Sequence, residues 1–162
     1  MEKVRVAQYA RFLDRDGNYI TGYAYQNFFV NETRTWEDAE YGFAAFLFSG
    51  SLGGGAGESK EANILGTPNK LTVPIFSEVV EKFWLVEIKR VMVTYDTDTL
   101  LFSESQTITS ETWNCSACPR DGEQITIRLG DPFDAVQSQA PRRRLTASLV
   151  GALPSTGNIS LR

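Results

Sequence analysis

The sequence contains no histidine, and this absence excludes a large part of known enzyme chemistry. Histidine is the commonest general base and a common zinc ligand, so no Ser-His or Cys-His dyad can be built from this chain. An enzyme would have to rely on carboxylates, lysine, tyrosine or cysteine, and no arrangement of these groups stands out. The sequence therefore predicts a protein that is not an enzyme.

Long apolar runs and an excess of basic charge are also lacking. No apolar stretch approaches the roughly 20 residues that span a bilayer, and the opening residues, MEKVRVAQYARF, lack the apolar core of a signal peptide. Lys and Arg total 16 against 20 Asp and Glu, a net charge of -4, which does not favour nucleic acid as a partner. We expect a cytoplasm-like compartment, no membrane span and no nucleic-acid partner.

What the chain does contain is a series of short alternating runs between turn residues. Val4–Leu13 and a second β-rich run from Tyr19 flank an Asp-Gly-Asn turn, as in a hairpin. Trp84–Tyr95 and Gln124–Leu129 alternate apolar and polar residues, as strands do. The sequence predicts a mainly-β fold, a small β-sandwich or β-barrel in one domain over residues 1–131.

Three further elements are predicted with less regular patterns. The aromatic run Gly42–Phe48 is expected to be one strand, and Lys70–Val73 a short strand before Pro74. Ser77 is expected to cap one or two helical turns that reach Trp84.

A glycine-rich loop and an extended arm complete the predicted organisation. Residues 50–70 hold too many helix and strand breakers for a regular element, and long loops in small domains are usually functional or disordered. Glycine amides can cradle a phosphate, but no Gly-Lys-Ser/Thr follows here, so we expect this loop to be shaped by a partner. Residues 132–162 are expected to form an extended C-terminal arm.

Several residues are candidates for contact with a partner protein. A domain of this size cannot bury all of its aromatic side chains, and Tyr and Trp are enriched at interfaces. Three adjacent arginines suit docking on acidic surfaces, although simple solvation is an equal alternative. The candidate contact residues are Trp36, Tyr41, Gly53, Gly54, Gly55, Arg142, Arg143 and Arg144.

The two cysteines, Cys115 and Cys118, form the chain's one C-x-x-C pair. Such a pair can ligate zinc or an iron–sulfur cluster, or cycle as a redox pair, but without histidine or a second pair it cannot close a tetrahedral site. We therefore expect reduced thiols and no cofactor, with half of a metal or cluster site shared between subunits as the second choice.

The order of these motifs resembles the N-terminal part of the minor tail protein L family of long-tailed bacteriophages. The resemblance rests on T-W-x-x-x-x-Y-x-x-x-x-F-x-F-S-G over Thr35–Gly50, on LTV at Leu71–Val73, on the strand Val86–Asp96 and on Ile125–Thr146. It implies a structural protein of the tail tip or baseplate hub, which forms a homo-oligomeric ring beneath the tail tube and contacts other tail proteins. The expected location is the virion, assembled in the host cytoplasm.

The resemblance has one departure, and two other functions compete with it. Family members often continue into a cysteine-rich domain that can hold an iron–sulfur cluster, whereas Cys115 and Cys118 lie in the β body, so no ligand is carried over. The first alternative is a carbohydrate- or receptor-binding β-sandwich, suggested by Trp36, Tyr41 and Trp84. The second, ranked lowest, is an enzyme with an acid–base pair of carboxylates, drawn from Glu32, Glu37 and Asp38.

Overall fold

The computed structural model describes residues 4–50 and 61–130, and within these ranges the chain is mainly β, as predicted. The strands form a single open mixed sheet in the order β3-β4-β2-β1-β7-β8-β9-β6-β5. No helix in the described ranges is long and apolar enough to cross a bilayer. In chain order the elements are β1 (Val4–Leu13), β2 (Tyr19–Gln26), β3 (Arg34–Trp36), β4 (Ala39–Phe43), β5 (Phe46–Gly50), β6 (Glu61–Gly66), α1 (Thr72–Glu81), β7 (Leu85–Asp96), β8 (Leu101–Ala117) and β9 (Ile125–Gly130).

The predicted hairpin of β1 and β2 is confirmed, and its turn is closed by one side chain. The carboxylate of Asp14 accepts hydrogen bonds from the backbone N–H groups of Asp16 (2.9 Å) and Asn18 (2.8 Å). Gly17 has φ +87°, a conformation that glycine adopts without a Cβ clash. The turn residues thus set the point at which β1 reverses into β2.

β1 and β7 form the centre of the sheet, and each face of this pair supports its own core. They pair antiparallel without interruption from Val4 opposite Thr94 to Leu13 opposite Leu85. Because side chains alternate along a strand, one face of the pair carries Ala10, Phe12, Val86 and Ile88, and the other carries Ala7, Tyr9, Val91 and Val93.

The first of these faces, called the helix face below, is covered by α1 together with β5, β6 and β9. The opposite face, called the β4 face, is covered by the chain from the end of β2 to β4, through Phe29, Ala39 and Tyr41. The two ends of the sheet therefore fold over opposite faces of its central strands.

Side-chain amides tie the far edge of the sheet back to its middle. Gln8 on β1 donates through Nε2 to the carbonyl of Phe48 (3.0 Å) and accepts at Oε1 from the N–H of Phe48 (2.8 Å). Asn27 donates to the carbonyl of Phe46 (3.0 Å). These bonds replace part of a backbone ladder, so β5, although last in the sheet order, lies against β1 and the end of β2.

The prediction of one strand over Gly42–Phe48 is wrong, because the chain changes partners inside it. β4 runs parallel to β2 as far as Phe43, whereas β5 starts at Phe46 and pairs with β6. Between them the N–H of Ala44 bonds to the carbonyl of Gln26 at 3.0 Å. The aromatic pattern is continuous through this step because both strands bury aromatic residues, in two different cores.

The predicted loop over residues 50–70 is also corrected where it is described. β5 extends to Gly50, and Glu61–Gly66 is a regular strand that pairs with both β5 and β9. Ala62 and Ile64 are buried on alternate positions, as expected of a half-buried strand. Residues 51–60 of the predicted loop, and the predicted arm at 132–162, lie outside the described residues.

The predicted strand at Lys70–Val73 is wrong as well, because the helix starts earlier than expected. Asn69 accepts hydrogen bonds at Oδ1 from the N–H groups of Leu71 and Thr72, both at 2.8 Å, while the Thr72 hydroxyl accepts from the Asn69 N–H at 3.0 Å. This reciprocal pairing satisfies the first amides of the helix. Pro74 lies in the first turn, where its missing N–H has no intrahelical partner to lose, and Ser77 is inside the helix rather than at its start.

Candidate functional site

The long hairpin of β7 and β8 leaves one edge of the sheet without a neighbour. β8 has 17 residues and pairs with β7 from Leu101 to Asn114. On its other side β9 pairs with β8 only through Asn114, Cys115 and Ala117. Within the described part of the chain, the backbone of Leu101–Trp113 that faces away from β7 therefore has no strand partner. We call this stretch the open edge.

The open edge lacks lysine and proline, two of the residues that most often protect a free strand. Soluble proteins guard such edges with lysine, proline or very short strands, because an unpaired ladder invites pairing with another chain. Leu101–Trp113 reads LFSESQTITSETW, with no lysine, arginine, proline or glycine. Its remaining defences are two bulges, at Ser105 and Ile108, and the charged side chains of Glu104 and Glu111.

The other two edges of the sheet are managed differently. β3 is an edge of three residues, which is too short to template much pairing. β5 is the opposite edge, and the side chains of Gln8 and Asn27 already occupy its backbone groups at Phe46 and Phe48. Of the exposed strands described, the open edge thus presents the longest unprotected ladder.

A polar network on the β4 face fixes the outer half of β8. Glu104 accepts hydrogen bonds from Tyr9 Oη (2.7 Å) and from Arg34 Nε (2.8 Å) and Nη2 (2.5 Å). Burial raises the pKa of Glu104, but the bonds from Arg34 and Tyr9 lower it more, so its net pKa lies below the ordinary value. Burial and the bond to Glu104 raise the pKa of Tyr9. The carboxylate stays ionised and anchors β8 to β1 and β3.

A second group of contacts extends this anchoring along the same face. Trp36 donates from its indole to the hydroxyl of Thr107 at 3.0 Å. That hydroxyl donates to Glu37 at 2.7 Å, and Glu37 also pairs with the buried Lys89. The residues that anchor the open edge lie on β1, β3 and β7 and in the turn after β3. The open edge is therefore held in place without using its own outward backbone groups.

The outer part of β1 and β8 is covered only in part. Val4 and Val6 are 48% and 53% exposed, and Ile108, at a bulge on the open edge, is 49% exposed. Further in, the Oε1 atom of Glu111 and the Oγ1 atom of Thr109 are buried without a hydrogen-bond partner in the described part of the chain. Buried oxygens of this kind normally have a donor.

Glu111 is only loosely satisfied by its neighbours. Trp113 donates from its indole to Oε2 at 3.2 Å, and Arg90 Nη1 lies 3.9 Å from Oε1, an ion pair without a hydrogen bond. The side chain is 18% exposed, but its Oε1 atom is buried, so a cation that arrives at β8 reaches Oε1 only if the side chain rotates. The open edge therefore combines free backbone groups, exposed apolar side chains and an underpaired acid.

The structure separates the residues that the sequence offered as partner contacts. Tyr41 is 1% exposed and packs edge-on against Tyr9, with ring centroids 4.7 Å apart, so it is a core residue. Trp36 is half-buried against β8, and Trp84 is buried beside Tyr23. Gly53, Gly54, Gly55, Arg142, Arg143 and Arg144 lie outside the described residues.

The two cysteines lie at the end of β8 that is inside the core. Both are free, with Cys115 buried and Cys118 partly exposed. Burial raises the pKa of both thiols, which makes them poor nucleophiles and poor metal ligands as they stand. Residues 4–50 and 61–130 contain no group of three or more potential metal ligands.

The carboxylates proposed for an acid–base pair have structural roles. Hydrogen bonds from Lys89 and Thr107 lower the pKa of Glu37 and keep it ionised. Glu32 lies 3.4 Å from Arg34. Acid catalysis at neutral pH needs a carboxyl with a raised pKa, which is the opposite of what Glu37 shows.

Sequence reasoning missed the open edge, although a signal for it was present. Its thirteen residues without lysine, proline or glycine distinguish it from a protected edge. Comparison with protein-family models and with curated proteins returned no match for this chain.

Proposed function

We propose that this protein is a structural component of a bacteriophage tail tip or baseplate hub, where it assembles by protein–protein contacts beneath the tail tube. The observation that supports this most is the open edge. A strand of this length without lysine or proline on its free side is a surface for pairing with another chain, and pairing of this kind builds assemblies. The order of motifs resembles that of the minor tail protein L family, and this resemblance suggests a phage tail tip as the assembly.

The polar network around Glu104 and Glu37 fits the same proposal. A docking strand has to keep its shape before the partner arrives, because a rigid surface loses less entropy on binding. Glu104, Glu37 and Lys89 hold β8 from the β4 face and leave its outer backbone groups available. A carbohydrate-binding role has less support, since Tyr41 and Trp84 are buried and offer no exposed ring for a sugar.

The test is to express the full chain alone and together with the products of the neighbouring genes, then to image the purified material by negative-stain electron microscopy. We expect ring-shaped particles or larger tail-tip assemblies that contain this chain. Light scattering on the chain alone measures its mass in solution. A protein that stays a compact monomer in every combination contradicts the proposed function.

A further inference from the structure

We infer that the open edge of β8 is the docking site for residues 131–162 of a neighbouring copy, with Arg142, Arg143 and Arg144 pairing near Glu111. This inference rests on the proposed function, because that function requires copies to meet one another. It adds the identity of the two surfaces that meet, which are the open edge of one copy and the arginine-containing segment of the next.

The symmetry of the assembly decides between the ways in which copies can meet. If two open edges paired with each other, the contact would be two-fold and would stop at a dimer. A contact between the open edge and a different segment of the next copy is head-to-tail, and head-to-tail contacts can close into rings. A ring therefore needs a second, distinct surface to fill the open edge.

Charge favours residues 131–162 as that surface. The described residues contain 10 Lys and Arg and 16 Asp and Glu, a net charge of 10 - 16 = -6. Residues 131–162 contain four arginines and two aspartates, a net charge of +2. Opposite charge on the two surfaces steers them together and fixes the register in which they meet.

Local chemistry at the open edge matches the arginines in particular. The Glu111 side chain is partly exposed, and its buried Oε1 atom has no hydrogen-bond donor among the described residues; the buried Oγ1 atom of Thr109 also has none. A guanidinium offers five N–H donors and binds carboxylates through two of them at once. An incoming arginine that reaches the exposed part of the carboxylate lets Glu111 rotate and gives both oxygens a donor.

The segment also has the length and composition to pair as a strand. Residues 142–153 read RRRLTASLVGAL, twelve residues between Pro141 and Pro154, against thirteen in the open edge. From Leu145 to Leu149, Leu145, Ala147 and Leu149 alternate with Thr146 and Ser148, the period of a strand with one apolar face. That apolar face suits the exposed Ile108 on the open edge.

Two variants of the full chain separate the two surfaces. Ile108→Lys places a charge on the open edge, and the triple variant Arg142→Glu, Arg143→Glu, Arg144→Glu reverses the charge of the segment. Leu47→Lys is the matched control, since Leu47 is 54% exposed on the edge strand β5. Circular dichroism and thermal unfolding check that each variant is folded. We expect the first two to weaken self-association at least tenfold and the control to leave it unchanged.

Mixing the two variants gives the decisive measurement. The Ile108→Lys copy keeps a working segment and the triple-glutamate copy keeps a working edge, so an equimolar mixture should form one-to-one dimers that grow no further. The inference is wrong if either variant assembles like the wild type, or if the mixture stays monomeric while the wild type assembles. Neither result contradicts the proposed function. A wild-type chain that is monomeric alone and with its neighbours overturns both.

Discussion

The two ends of β8 are held in place by different interactions, although they belong to one continuous strand. At the inner end, Trp113 and Cys115 are buried in the helix-face core, and β9 pairs with the strand from Asn114 onward, where the pairing with β7 ends. At the outer end, Leu101 and Ile108 are exposed, and polar contacts through Glu104 and Thr107 hold the strand in place. Burial of apolar area fixes the inner end, while ion pairs and hydrogen bonds fix the outer end.

Because of this difference, substitutions in the two regions should affect different properties of the protein. Apolar burial contributes most of the stability of a domain, so changes at the inner end should affect folding. The outer end contributes less to folding and should instead affect what the surface can bind. Substitutions at matched positions along the hairpin can therefore test whether stability and assembly are separated in this way.

The largest effect is expected from removing an apolar side chain in the inner region. Ile127 on β9 is fully buried in the same helix-face core as Cys115, and Ile127→Ala should lower the free energy of unfolding by about 2–5 kcal/mol, because it leaves a cavity. Ile108→Ala, the same change at the outer end, should alter it by no more than about 0.5 kcal/mol. Urea unfolding measures both, and equal losses would contradict the comparison.

A smaller loss is expected when the outer network is broken. Arg34→Ala leaves the buried Glu104 carboxylate with only Tyr9 as a side-chain donor, which should cost about 1–3 kcal/mol. Arg5→Ala, an exposed arginine on β1, serves as the control and should be close to neutral. If both variants unfold at the same urea concentration, the network does not anchor β8.

The pH dependence of stability tests the same network, because it depends on the charge of Glu104. Because the pKa of folded Glu104 is below the ordinary 4.5, its ionisation stabilises the fold above that value, and this stability is lost as the pH falls through the folded pKa. The wild type should exceed Glu104→Gln in stability at neutral pH, and the gap should close as the pH falls through the folded pKa of Glu104. The exposed Glu40→Gln is the control, and a gap that stays constant with pH would refute the role of the Glu104 charge.

Thiol labelling should disturb the molecule least and reports on the inner end directly. Cys118 is partly exposed whereas Cys115 is buried, and burial raises the pKa of both thiols, so a thiol reagent should react with Cys118 first. Cys115 should react only when the protein unfolds. Counting reacted thiols by mass spectrometry before and after adding urea checks this, with Cys118→Ser as the control. Rapid labelling of both in the folded protein would show that the inner end opens.

Much of the fold follows from local pattern, and the failures have physical reasons. The β1–β2 hairpin and β7 were predicted because turn chemistry and period-two alternation act over a few residues. The strand β6 was missed because it lies in a glycine-rich stretch, and the start of α1 was misplaced because Asn69 and Thr72 cap the helix through reciprocal bonds before Pro74. Gly42–Phe48 was read as one strand because the sequence shows that aromatic residues are buried, but not in which core.

The sequence by itself determined that the chain is mainly β, that it lacks the residues of a histidine-based active site, and that its one run of three adjacent basic residues is Arg142–Arg144. Only the tertiary structure decided that Tyr41 is a core residue, that Glu104 holds β8 to β1 and β3, and that Leu101–Trp113 lacks a second neighbour in the described sheet. Strand neighbours and burial depend on contacts between residues far apart in the chain, whereas alternation and turns depend on residues that are adjacent in the sequence. The open edge belongs to the first kind, because a strand is recognised from its own residues but its missing partner only from the rest of the sheet.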